Sequence, residues 1–167
     1  MSIQQEIEQW DGKSANDIGE IYSRYCHESS FASTIVKLTS DTSLQKGATW
    51  MLKRHLENKI ELGKSETSTI CRNLENMRCW ESRLHILQCL PFLRVERTDR
   101  KRVENFLRKC LMEQNKFIRA WAYNGFYELS VQYPEYVEET RQFFAIAMRD
   151  EAPSVKSRIR NIMKNGF

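Results

Sequence analysis

Apolar residues return at three- and four-residue intervals along almost the whole chain, and strand-like alternation is nearly absent. Ile3, Ile7 and Trp10 open this pattern and predict a short packed helix at the start. Ser14 then precedes "ANDIGEIYSRYC", with Asp17 in the first turn and Ile18, Ile21, Tyr22 and Tyr25 on one face, so Ser14 reads as a helix cap. A second short helix is expected from Phe31 to Leu38. Thr42 or Ser43 is expected to cap a third, running to about Asn58, with Leu44, Ala48, Met51, Leu52 and His55 on its inner face. Gly63 marks a break. Helices are predicted over 65–76, with Ile70 and Leu74 inward, and from Trp80 to Phe92. Thr98 is expected to cap "DRKRVENFLRKCLME", whose apolar face is Val103, Phe106, Leu107, Cys110 and Leu111. Further helices are predicted over 116–131, from Pro134 through Met148, and over a closing stretch holding Val155, Ile159, Ile162 and Met163. From Ser14 on the sum is about nine helices with short connections, an all-α chain.

One stretch, "KFIRAWAYNGFYELS", places Trp121, Tyr123, Phe126 and Tyr127 around Asn124-Gly125. A repeat explains it better than a pocket does. The first-turn apolar residues Leu44, Trp80, Ile118 and Val155 lie 36, 38 and 37 residues apart. Four residues on come Ala48, Leu84, Ala122 and Ile159, and three further Met51, Leu87, Gly125 and Ile162. Small residues at 48, 122 and 125 let a paired helix approach closely, so Asn124-Gly125 is expected inside one helix, with Trp121, Phe126 and Leu129 as core. In this register the residue after the first apolar position is basic in two copies, Arg119 and Lys156, against Gln45 and Glu81 in the others.

The segments "SLQKGATWMLKRHL", "WESRLHILQCLPFL", "FIRAWAYNGFYEL" and "SVKSRIRNIMKNG" carry a resemblance to the HEAT or armadillo-like repeats. It covers about residues 42–167, with 14–39 as a divergent first pair. It implies an α-α superhelix, one repeat domain over 1–167 with units near 14–39, 42–76, 79–112, 116–148 and 153–167. Such a solenoid presents an extended concave face lined by the second helix of each pair, here about 65–76, 98–112 and 134–148. "FIRAWA" and "SVKSRI" match the family's first helix in part. Leu44 and Trp80 lack the following base, and the family's connecting Asp is matched only loosely, at Asp41 and Asp150.

Composition narrows the functions. The chain has 167 residues and a formal charge of +4, 41% hydrophobic and 29% charged, which describes a folded chain of one domain's length. No apolar run approaches a membrane span, and "MSIQQEIEQWDGK" lacks the apolar core of a signal peptide, so the cytoplasm is expected. Five widely spaced cysteines without a CxxC pair read as reduced thiols, and His27, His55 and His85 stand too far apart for a structural zinc site. His85 and Cys89 lie four apart on one helix, where a satisfied histidine and a buried thiol are expected rather than a catalytic pair. There is no phosphate-binding glycine loop. No cofactor, no metal and no catalytic residue is assigned.

Basic charge concentrates in the middle. Residues 41–110 carry fifteen basic and nine acidic side chains, whereas 1–40 carry three and six. The expected binding surface is Arg97, Arg100, Lys101, Arg108 and Lys109 with Arg141 and Arg149, neighboured by Glu138 and Glu139. A mixed-charge surface of this kind suits a protein or peptide partner, and a scaffold function is the first reading. The alternative is nucleic-acid binding, with Lys101 and Arg108 on one helical face meeting adjacent phosphates. A weaker resemblance points to the HEAT-like DNA alkylation-repair glycosylases, which grip duplex DNA in a basic groove and use aromatic and acidic residues near the lesion. The nearest positions here are Trp80, Trp121, Asp99 and Asp150, and both aspartates also read as helix-boundary residues. A homodimer through an open terminal repeat is a further expectation, since Ile162, Met163 and Phe167 sit in an unpaired last helix.

Overall fold

The structure, a computed structural model, describes residues 1–167 and is all-helical. Ten α-helices run in order: α1 Ile3–Gln9, α2 Ala15–Tyr25, α3 Phe31–Leu38, α4 Gln45–Glu57, α5 Lys64–Asn73, α6 Trp80–Cys89, α7 Arg100–Leu111, α8 Lys116–Gln132, α9 Val137–Asp150 and α10 Pro153–Lys164. Short 3-10 turns cover Leu74–Asn76, Leu90–Phe92 and Pro134–Tyr136. The chain forms two compact units, Met1–Leu93 and Arg94–Phe167.

In the first unit α4 packs against α2, α3 and α6, α3 also meets α5, and α1 lies on α2. Ser2 caps α1 with a reciprocal bond from Gln5, and Ser14 caps α2 through the Asp17 amide at 3.2 Å. Ile3 and Ile7 are buried, so the opening segment is a packed helix as its spacing predicts. Helix α4 starts later than expected. Leu44 holds the cap position, while Asp41 gathers the Ser43 amide at 2.8 Å and hydroxyl at 2.6 Å into a turn. Its predicted inner face is buried throughout.

In the second unit α8 is the central helix, packed on α7, α9 and α10. It runs unbroken through Asn124-Gly125, and Ile118, Ala122, Phe126 and Leu129 are at most 2% exposed. Trp121, Tyr123 and Tyr127 are half-buried. Asn115 caps α8 by accepting the amides of Phe117 and Ile118 at 2.9 and 3.4 Å. Asp99, rather than Thr98, occupies the cap position of α7. At the far end Ile162 is buried. The half-buried Phe167 ring meets Tyr127 and Phe144 edge-on, at 5.2 and 5.4 Å between centroids, so of the three apolar residues expected to stand open only Met163 is exposed.

The repeat register of α6 differs from the sequence reading. Trp80 is 45% exposed and Leu84 half-buried, while Ser82, Ile86 and Cys89 are fully buried. The copies therefore align as Leu44, Ser82, Ile118 and Val155, with gaps of 38, 36 and 37. A polar residue fills the first-turn core position of α6, because the Ser82 hydroxyl lies 2.8 Å from Cys79 Sγ at the helix start. An apolar pattern cannot register that.

In the corrected register the residues directly after the first core position are Gln45, Arg83, Arg119 and Lys156. Arg83 Nη1 donates to the carbonyls of Met77 and Arg78 at 3.2 and 3.1 Å. Arg119 Nη1 donates to those of Glu113 and Gln114 at 3.0 and 2.8 Å, the same offsets of six and five residues. Lys156 Nζ reaches the Arg149 carbonyl at 3.3 Å. Gln45 instead grips the loop before α6, donating to the Asn76 carbonyl at 2.7 Å and accepting the Arg78 amide at 3.0 Å. These side chains satisfy backbone groups that a helix end leaves unpaired.

Candidate binding surface

Five of the seven expected surface cations lie on or just before α7, and the structure pairs four of them with carboxylates. Glu104 is the centre. It is 5% exposed and faces four donors. Lys101 Nζ and the Tyr136 hydroxyl each donate to its Oε2 at 2.8 Å, and Arg108 donates Nε and Nη2 to its Oε1 at 3.1 and 3.0 Å. Arg108 Nη2 also meets both oxygens of Glu139 at 2.8 Å, tying α7 to α9. Its guanidinium lies 5.7 and 5.8 Å from the rings of Phe126 and Phe143. Burial opposes ionisation of Glu104, yet the hydrogen bonds from Lys101, Tyr136 and Arg108 outweigh it and hold this carboxyl below the usual range. Burial and the same carboxylate push Tyr136 up to about 12.

One turn away, Arg97 and Arg100 share Glu135 at 3.3 and 3.5 Å, and Arg97 lies over the Tyr133 ring at 5.6 Å. The loop before α7 is anchored from the end of α8. Gln132 Oε1 accepts the Val95 amide at 2.8 Å, and Tyr133 donates to the Val95 carbonyl at 2.6 Å. Lys109 is exposed and carries no carboxylate partner. Arg141 and Arg149 stand apart from this ladder on the exposed side of α9. Arg141 lies over the Phe167 ring at 5.4 Å, at the rim of an apolar cleft of about 240 Å³ lined by Phe144, Ala145, Met148 and Met163.

The expected solvated face of Lys101 and Arg108 is thus corrected. Lys101 is 69% exposed at its side chain, but Arg108 is the half-buried partner of a buried carboxylate. The acids Glu104, Glu135 and Glu139 are as much part of the surface as the cations. Their signal was the i, i+3 and i, i+4 spacing of Lys101, Glu104 and Arg108. Glu139 was among the acids expected beside the cations, but nothing local announces that it or Glu135 pairs with cations more than thirty residues away.

Of the positions tied to glycosylase chemistry, Asp99 and Trp121 have other partners, and Trp80 is exposed. Asp99 is buried at the cap position of α7 and accepts Arg102 Nη1 at 2.9 Å. Asp150 is the exposed last residue of α9. Arg158 covers the Trp121 ring at 3.9 Å. His85 Nδ1 lies 3.0 Å from the Thr49 hydroxyl, and burial lowers its pKa to about 4. Burial pushes the Cys89 thiol up, so it stays protonated, and His85 and Cys89 form no nucleophilic pair. No helix is long and apolar enough to cross a membrane. Comparison with family models, curated proteins and solved structures finds no match to this chain.

Proposed function

We propose that this chain is a non-enzymatic binding module of HEAT-like helical repeats, working in the cytoplasm, that takes a polypeptide segment on the face of α7 and α9. The observation that carries this reading is the mixed-sign ladder Arg97–Glu135–Arg100 and Lys101–Glu104–Arg108–Glu139. A polypeptide offers charges of both signs and backbone groups to such a surface. A phosphate backbone offers one sign only and would have to strip Arg97, Arg100, Lys101 and Arg108 from their carboxylates. The five free thiols fit a reducing compartment.

Capture from cell lysate tests it, run with and without nuclease and with Lys101→Glu/Lys109→Glu as the comparison, both side chains being exposed. The expected result is a discrete protein that survives nuclease, weakens as salt rises and is lost with the double variant. Material that disappears with nuclease would overturn this reading in favour of nucleic acid. A protein captured equally well by the variant would move the binding face elsewhere.

A further inference from the structure

The first unit holds an open polar cleft of about 740 Å³ between α2 and α4, within the range of small-molecule sites. Trp50, Arg54 and Asn58 line it from α4 at successive four-residue steps, and Asn16, Gly19, Glu20 and Arg24 line it from α2. The lining sets Arg24 and Arg54 beside Glu20, whose carboxylate accepts from Asn16 Nδ2 at 3.1 Å. Arg24 is paired with Glu6 and also feels Glu20. Arg54, exposed one turn beyond the half-buried Trp50, has no carboxylate partner. Hydrogen-bond donors are in surplus. Asn58 Nδ2 donates to the Tyr22 hydroxyl at 3.0 Å and keeps a second N–H. Ser14 takes the Asp17 amide and leaves those of Ala15 and Asn16 in the first turn of α2, beside the cleft, without a protein acceptor. The Nε1–H of Trp50 has no protein acceptor either. At Gly19 a Cβ would meet only the Trp50 ring, at an ordinary contact distance of 3.7 Å, so α2 and the indole border the cleft side by side.

We propose that this cleft binds a mononucleotide-type ligand, its base against Trp50 and its phosphate on Arg54. A flat ring gains area on an indole, and the lone guanidinium matches a phosphate in charge and geometry. The amide of Asn58 and the free amides of α2 supply the remaining donors. The site lies in a different unit from the α7–α9 face and stands or falls separately.

Calorimetric titration of the full chain with the common 5′-mononucleotides tests it, with adenosine and inorganic phosphate as controls. At least one nucleotide is expected to bind saturably. Adenosine alone and phosphate alone should each be weaker by about tenfold or more. Arg54→Gln, an exposed change, should weaken binding by a similar factor, and Gly19→Met should abolish it by filling the cleft while the thermal melt stays cooperative. No saturable binding of any nucleotide at millimolar concentration would overturn the proposal. So would phosphate binding as tightly as the nucleotide, or Arg54→Gln binding like the parent chain.

Discussion

Glu104 shows how one buried carboxylate decides which surface cations matter. Lys101 and Arg108 both bond to it, but only Arg108 also reaches Glu139 and lies against two aromatic rings. Arg108→Glu sets a second carboxylate against the buried one and should lower stability by about 1–3 kcal/mol in a denaturant melt. Lys101→Glu, more than two-thirds exposed at its side chain, should change it by no more than ~0.5 kcal/mol. Equal effects would mean that Glu104 is not the shared anchor. The basic run of α7 was legible in the sequence, as was the acid between its members. What was not legible is that the acid faces inward, because Tyr136 reaches it from 32 residues away.

At the scale of the helix, register is the quantity under test. The corrected alignment places Ser82 in the core of α6 and Trp80 outside it. Ser82→Leu should therefore destabilise by about 1–3 kcal/mol through overpacking, whereas Trp80→Ser should be close to neutral. The opposite order would restore the register read from apolar spacing. Ala122, fully buried, makes the same point on α8, and Ala122→Trp should also lower stability by ~1–3 kcal/mol. Helix existence was read well from periodicity, including α3 to the residue and the continuity of α8 across Asn124-Gly125. Starts were read less well at α4 and α7, where Leu44 and Asp99 hold the cap position in place of the expected Thr or Ser. At α6, whose start at Trp80 was read as found, the thiol of Cys79 takes the Ser82 amide at 3.4 Å as a hydroxyl would.

Across the whole molecule the ionisable groups combine into a dependence on acid. Burial lowers the pKa of His55 and His85, the latter to about 4, so the unfolded chain binds their protons first as pH falls. Stability from these groups is fully present above the ordinary histidine pKa and is lost as pH falls toward their folded values. Glu104 and Glu151, held low by their partners, add a loss at lower pH with the same sign. Glu128 opposes them, since burial raises its pKa and its protonation in acid favours the folded state. The melting temperature should therefore fall from about pH 6.5 to 4, and His85→Gln should flatten that slope. A slope unchanged by the substitution would remove His85 as its source. The burial behind this was legible, with His55 on the inner face of its helix and His85 expected as a satisfied histidine; the Thr49 hydroxyl that meets His85 from 36 residues away was not.

The arginine clamps behind α6 and α8 have a consequence for how such a chain tolerates change. Through Nη1, Arg83 and Arg119 each hold two main-chain oxygens, and those oxygens are the same whatever side chains the loop carries, while Nε and Nη2 of Arg119 pair with Glu151 at 2.7 and 3.0 Å. Substitutions at Met77, Arg78, Glu113 or Gln114 thus leave the clamp's partners in place, and the linkers are free to drift. Their length is not. A single residue added between Gln114 and Arg119 would carry both oxygens out of reach of the fork, so this part of the chain forgives spelling and punishes insertion.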